Sequence, residues 1–335
     1  VLDDQKYPLD IRKLKVSNQS QLDKELSKEI NHIYDLSNEY PIRISIYQVI
    51  NRECYLSIVI HHIAFDGWSI DIFLRELNEC YSYYLKQSQG LEAKLNLPEL
   101  SIQYKDFALW QRNYLSGEIL DNQLDYWKKR LSGYETLNLI TDKPRPSQID
   151  YKGTNIYFEL DEETSKHLRE LAKELKVSLY SLLLSGYYLM LRSYSNQDDI
   201  VIGTPIANRH YSQVENLIGF FVNSLALRIK IDSNSSIKEF IQSVGQETVG
   251  AQLYQDLPFE KLVEELDVLK DTSRHPIFQI MFAIQALEGN LDNQISECLI
   301  NILQAYPRVS DLYNVARFDI STFIDDSQPK LKGSF

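Results

Sequence analysis

His61-His62-Ile63-Ala64-Phe65-Asp66-Gly67-Trp68-Ser69 lies between a predicted strand and a predicted helix. The run before it, Tyr55-Leu56-Ser57-Ile58-Val59-Ile60, is apolar and rich in β-branched residues, as a strand should be. After it, Ile70, Phe73, Leu74, Leu77 and Tyr81 recur at helical spacing. The two histidines therefore fall where a strand ends, and Gly67 is expected to let the backbone turn into the helix. A neutral imidazole held on such a turn can accept or relay a proton near neutral pH.

Other roles suit the same residues. A histidine beside an apolar strand often has a structural role. Histidine and aspartate are also zinc ligands. However, neighbouring strand residues face opposite sides, so His61 and His62 would share an ion only if the turn had already begun. No Cys or His cluster elsewhere supplies a third ligand.

Further segments extend the pattern. They are Tyr104-Lys105-Asp106-Phe107-Ala108-Leu109-Trp110, Gln123-Leu124-Asp125-Tyr126-Trp127 with Leu131 and Gly133, and Asp142-Lys143-Pro144-Arg145-Pro146. Ile202-Gly203-Thr204-Pro205-Ile206-Ala207-Asn208-Arg209, Ile218-Gly219-Phe220-Phe221-Val222-Asn223-Ser224, Gln255 to Leu262 and Arg274 to Gln279 follow. In this order, across roughly residues 40 to 335, they resemble the motifs of the condensation domains of nonribosomal peptide synthetases. The opening stretch is similar to the family's HHxxxDG motif, 104–110 to YxDFAxW, and 218–224 to IGxFVNT with serine in the last place. Two earlier family motifs, of SxAQxRLW and RHExLRTxF type, are not found. The N-terminal lobe is therefore expected to be incomplete, the chain being a piece of a longer protein.

Composition sets wide bounds. The 335 residues are ample for two domains, and 44% hydrophobic with 24% charged residues is ordinary for a globular protein. No apolar run approaches the ~18 residues of a membrane span, and no basic-then-apolar signal peptide opens the chain. The net charge of −12 argues against nucleic acid as a partner. Lys128-Lys129-Arg130, the densest basic cluster, reads as a solvated helix face rather than a phosphate site. Cys54, Cys80 and Cys298 lack CxxC spacing and are expected to be reduced, mostly buried thiols.

Strands are expected at Arg43 to Ile50 and Cys54 to Ile60, paired as a hairpin, with helices near 68–86, 102–116 and 120–132. Pro144, Pro146 and Gly153 mark a connection, which divides the chain into lobes 1–150 and 151–335. In the second lobe, Asp161, Ser178 and Ser236 are placed to start helices, and Thr154 to Leu160, 200–206, 225–231, 277–284, 318–324 and 331–335 read as strands. Residues 296–304 fit either a helix or a strand.

The resemblance implies an α/β fold of two chloramphenicol-acetyltransferase-like lobes in a V-shaped pseudodimer, with the histidine motif at their junction. It also implies the reaction. Two phosphopantetheine arms, each carried by a peptidyl carrier domain, enter a tunnel from opposite ends, and the downstream aminoacyl amine attacks the upstream thioester. His62 matches the family's catalytic histidine, as a general base or as a group that positions the amine. His61 and Asp66 match supporting positions, and Arg209 is the cation expected to meet Asp66. Gly67 is expected to give close substrate approach and an oxyanion donor, or simply turn geometry. Trp68, Ser69 and Asn223 are candidate tunnel residues. Ser69 can alternatively cap the helix, and Asn223 can bond backbone across the lobes. Tyr104, Asp106 and Trp110 are expected to pack. Carrier and adenylation domains are the implied partners, the cytoplasm is the implied location, and no metal or directly bound cofactor is expected. An epimerization domain, a coenzyme A-dependent acyltransferase and a non-catalytic docking scaffold are the alternatives.

Overall fold

The computed structural model describes residues 8–50, 54–268, 271–285 and 315–335. The segment with two possible readings at 296–304 and Cys298 lie outside the described residues. The chain divides into two compact units. In described residues, one comprises 8–50, 54–104 and 210–221, and the other 105–209, 222–268, 271–285 and 315–335. Packing therefore cuts the chain near residue 104 and not at the Pro-rich connection.

The first unit is built on a three-stranded sheet of β1 (Ile11–Val16), β2 (Ile42–Val49) and β3 (Cys54–Ile60), in that order. β2 and β3 pair antiparallel, from Ile42 opposite Ile60 to Gln48 opposite Cys54, which is the expected hairpin. β1 joins β2 in parallel, and parallel neighbours need a crossover. That crossover contains helix α1 (Gln19–Ile30), which starts on Asn18, whose side chain accepts from the Gln21 amide. Leu22, Leu26, Val16 and Tyr47 form a small core between helix and sheet. Glu29 of α1 is buried and clasps all three strands. It accepts hydrogen bonds from Arg12 of β1, Ser45 of β2 and, at 2.9 Å, Ser57 of β3. A buried carboxylate needs such partners to offset its lost hydration. They also fix the strand that delivers His61.

Helix α2 (Gly67–Ser88) follows, then α3 (Tyr104–Tyr114) and α4 (Gly117–Leu131). Leu124, Trp127 and Leu131 of α4 are buried in the core of the second unit, with Tyr188, Phe278 and Phe282. The basic cluster of α4 is not simply a solvated face. Lys128 lies 3.1 Å from Glu265, and Arg130 pairs with Glu247 and donates to the Arg228 carbonyl at 2.8 Å.

The second unit is a six-stranded mixed sheet, ordered β4 (Tyr157–Glu159), β9 (Lys332–Ser334), β8 (Ile320–Asp325), β7 (Ile280–Gln285), β5 (Asp199–Ile206), β6 (Asn223–Lys230). It is joined by α5 (Glu162–Leu175), α6 (Leu179–Ser195), α7 (Ile237–Gln252) and α8 (Phe259–Glu265). Asp161, Ser178 and Ser236 cap α5, α6 and α7 as expected, Ser236 forming a reciprocal capping box with Glu239. The apolar α6 buries Leu182, Leu184, Tyr187, Tyr188 and Leu191. Cys54 is exposed, contrary to the expectation of mostly buried thiols, because it opens an outer strand of the small sheet.

Two sequence motifs explain each other inside this core. Gly203 on β5 faces Phe278, and a Cβ built at Gly203 would lie 2.1 Å from the Phe278 ring. Phe278 is fully buried and has no room to retreat. Gly203→Ala is therefore expected to destabilise the protein by about 1–3 kcal/mol or more through overpacking. Chemical denaturation checks this, and a Phe278→Leu change should restore part of the loss.

His275 sits among Phe259, Phe278 and Phe318, with ring centroids at 5.6, 4.9 and 4.6 Å. Its Nδ1 donates to the Pro276 carbonyl at 3.0 Å. Burial holds its pKa below the ordinary 6.5. The unfolded chain thus takes up this proton first as pH falls. Folding stability should be flat above about pH 7 and drop below pH 6.5 with a slope of at most ~1.4 kcal/mol per pH unit. It should level off once pH passes the folded pKa. Subtracting the stability–pH curve of His275→Gln from that of the parent protein isolates this component.

Candidate active site

β3 ends at Ile60, and a 3-10 turn begins two residues later, over His62–Ala64. The turn gives the two histidines opposite hydrogen-bonding states. The His61 amide donates to the Pro41 carbonyl at 2.8 Å, and its Nδ1 accepts from the Ile63 amide at 3.1 Å. His61 therefore caps the turn. His62 instead has its Nδ1 2.5 Å from the Phe65 carbonyl. A carbonyl only accepts, so Nδ1 must carry the hydrogen, and in the neutral ring the lone pair lies on Nε2. The His62 side chain is exposed. The ring of Phe220 meets its imidazole edge to face, with centroids 5.1 Å apart at 90°.

Asp66 is buried and caps α2. Its Oδ1 accepts from the Ser69 amide at 2.9 Å and the Ser69 hydroxyl at 2.8 Å. Its Oδ2 accepts from the Phe221 amide at 3.0 Å. One carboxylate thus starts the helix and grips a segment 155 residues away in the chain. Ser69 reinforces the grip, since its Oγ accepts from the Gly219 amide at 3.1 Å. Trp68 Nε1 donates to the Glu215 carbonyl at 2.9 Å, and Arg75 donates to Asn216 at 3.1 Å. Segment 210–221 is in this way strapped along the start of α2, which is why it packs in the first unit. Trp68 and Ser69, candidates for lining a tunnel, spend these polar groups on the strap.

Sequence reasoning did not find this clamp, or the role of Tyr104 in it. The Tyr104 hydroxyl donates to the Phe220 carbonyl at 2.7 Å, and its ring lies 5.1 Å from that of Phe221. A Cβ on Gly219 would lie 2.4 Å from Tyr104, so the glycine of this motif is required by the tyrosine of the other. Asp66→Ala removes the cap, worth about 1 kcal/mol. It also orphans the Phe221 amide at a cost of ~1–3 kcal/mol. A total loss of roughly 2–4 kcal/mol is expected in denaturant titration, together with loss of activity because Phe220 and the His62 turn lose their anchor. An Asp66→Ala protein with unchanged stability and rate would contradict the clamp.

Gly67 opens α2 and does not adopt a left-handed φ, so the expectation that it makes the turn is corrected. The 3-10 segment turns the chain instead. A Cβ at Gly67 would meet nothing within 4 Å, leaving open space at the helix N-terminus. Arg209 is buried in the second unit, one residue after Asn208, whose left-handed φ of 53° suits asparagine. Asn223 is fully engaged with backbone of its own unit. Its Nδ2 donates to the carbonyls of Gln255 and Leu257 at 2.9 and 2.8 Å, and its Oδ1 accepts from the amides of Ser224 and Phe259 at 2.9 and 3.0 Å. It pins the loop before α8, and these bonds do not cross between the units. Among the described residues, no group of three His, Cys, Asp or Glu side chains is placed to hold a metal ion, and no helix is long and apolar enough to cross a membrane.

Comparison with solved structures places the molecule in a class of mixed α/β domains. It matches the X-domain from teicoplanin biosynthesis with a TM-score of 0.82 at 21% identity, covering 98% of this chain and 73% of that one. It matches AB3403, a four-domain nonribosomal peptide synthetase, with a TM-score of 0.76 at 25% identity, covering 97% of this chain and 25% of that one. The expected α/β, chloramphenicol-acetyltransferase-like fold is thereby shown. The chain belongs to the Condensation domain family, whose profile matches residues 1–332. It is 40% identical over 326 residues to N-(5-amino-5-carboxypentanoyl)-L-cysteinyl-D-valine synthase of Amycolatopsis lactamdurans, covering 97% of this chain and 8% of that protein. The chain is thus a condensation domain of the type found in nonribosomal peptide synthetases, and it spans a small fraction of the length of such relatives.

Proposed function

We propose that this domain joins two carrier-borne substrates through an amide bond. The neutral amine of a downstream aminoacyl thioester attacks the carbonyl carbon of an upstream thioester. A C–N bond forms and the C–S bond breaks. The amine's proton passes to His62 and on to the departing thiolate, and the acyl chain moves to the downstream arm. The observation that carries this reading is the hydrogen bond from His62 Nδ1 to the Phe65 carbonyl. It leaves Nε2 as the atom able to take the proton or to hold the amine by its N–H. His61 and Asp66 support the turn. The amide of Gly67, at the positive end of a 22-residue helix with open space beside it, is the proposed donor to the thioester oxygen. Arg209 is proposed as a supporting residue of the motif, with Arg209→Ala expected to lower the rate. The phosphopantetheine arms are substrates carried by the partner domains. The proposed partners are upstream and downstream carrier domains and an adenylation domain, in the cytoplasm.

The test mixes full-length protein with one carrier bearing acetyl-phenylalanyl-phosphopantetheine and a panel of carriers each bearing one proteinogenic amino acid. Intact mass of the acceptor reads the product. Gain of the donor acyl mass on an acceptor supports the proposal. No transfer to any acceptor, with folded protein that binds both carriers, favours a docking scaffold.

A further inference from the structure

We propose that Phe220 is a positioning residue that holds the His62 imidazole in its reactive orientation. This rests on the catalytic reading of His62. Phe220 occupies the position that the IGxFVNT-type pattern leaves open, so the backbone motif does not dictate a ring there. The structure nevertheless fixes this residue on both sides. Its carbonyl accepts from the Tyr104 hydroxyl at 2.7 Å, and the next amide is held by Asp66 at 3.0 Å. Gly219, just before it, is tied to Ser69. The backbone carrying Phe220 is therefore among the best-anchored parts of the strap, while its side chain is half-buried. That side chain points its ring at His62, 5.1 Å away and perpendicular.

Among the described residues the exposed imidazole has one polar tether, from Nδ1 to the Phe65 carbonyl, and such a tether lets the ring rock about that bond. An edge-to-face aromatic partner restricts the rocking and holds Nε2 on one bearing. The strap thereby transmits the Asp66–Ser69 clamp to the reacting nitrogen. This makes Asp66, Ser69 and Tyr104 act on His62 through Phe220.

Four variants in the full-length protein test this: Phe220→Leu, Phe220→Tyr, Phe220→Ala and His62→Ala. Phe220→Leu keeps apolar bulk but loses the ring. It should lower kcat about 2- to 13-fold, the rate equivalent of an aromatic pair's ~0.5–1.5 kcal/mol, with KM for the acceptor carrier unchanged. Phe220→Tyr keeps the ring and should restore the rate. Phe220→Ala should add nothing in a His62→Ala background, because a residue that acts through His62 has nothing left to act on. Nitrogen-15 NMR of His62 should show the Nδ1–H tautomer in the parent protein and an averaged ring in Phe220→Leu. Parent-like kcat and parent-like His62 signals in Phe220→Leu would overturn the proposal. So would an equal loss from Phe220→Ala with and without His62. A His62→Ala protein at the parent rate would instead sink the catalytic reading, and the NMR comparison would still decide whether Phe220 orders the ring.

Discussion

Replacing His62 with alanine is expected to slow acyl transfer by about 10²–10⁴-fold, the usual contribution of a general base. The fold should survive, because the side chain is exposed and its removal opens no core cavity. Its removal costs the bond to the Phe65 carbonyl and the ring contact with Phe220, both at the site itself. The loss need not be total. In the proposed reaction, holding two thioester arms close would convert a bimolecular attack into an effectively unimolecular one, and that advantage does not depend on the imidazole. The signature is therefore a large fall in kcat with near-normal carrier binding and an unchanged unfolding midpoint. His61→Ala should behave differently, because His61 acts as a cap on the turn. It should cost stability and rate together.

The second large effect concerns the fold. Arg228 on β6 is buried, with 5% of its side chain exposed against 12% for Asp199. Its Nε and Nη2 meet the two carboxylate oxygens of Asp199 at 2.8 and 2.5 Å. Its remaining reach goes to the carbonyls of Arg130, Ser132 and Gly133, at 3.1, 2.7 and 2.9 Å. One guanidinium thus joins two strands to the end of α4. The hydrogen bonds to Asp199 hold its pKa above the ordinary arginine value. Arg228→Ala takes the bidentate partner from a largely buried carboxylate, leaving it Lys230 at 3.8 Å, and strips donors from three carbonyls, so about 3–5 kcal/mol of stability should be lost. Arg228→Lys should rescue little, since an ammonium lacks the planar fork that serves a carboxylate and several carbonyls at once. Urea unfolding of the variants checks both statements. A loss below 1 kcal/mol for the alanine variant would contradict the role assigned to Arg228.

Much of this was legible in the sequence where the signal is local. The hairpin, the strand-to-helix position of His61 and His62, and the capped starts of α5, α6 and α7 all follow from periodicity and cap chemistry read over a few residues. Interactions between distant residues were not legible. Asp66 announces itself as a motif acid, but its second oxygen is claimed by an amide 155 residues away, which nothing near it reveals. Gly203 and Gly219 look like flexible points in a sequence and prove to be contact points, each facing an aromatic ring from another motif. β1 was missed because Ile11, Leu14 and Val16 alternate with Arg12, Lys13 and Lys15 on an outer strand, which blurs the apolar signal. Asn223, a candidate for lining the tunnel or bonding backbone across the lobes, has its partners among loop carbonyls and amides of its own unit, which no local pattern reveals. α4 precedes the Pro-rich connection in the chain yet packs in the second unit, because Trp127 and Leu131 complete that core.

The most direct measurement uses a donor carrier whose terminal residue is deuterated at the α-carbon. It is mixed with an acceptor-loaded carrier and either the parent protein or His62→Ala. Amide-bond formation through His62 predicts acyl transfer to the acceptor with the deuterium retained, and transfer slowed at least 100-fold in the variant. Loss of deuterium from the donor without transfer would contradict the account and identify an epimerase. Equal transfer by both proteins would remove His62 from the chemistry.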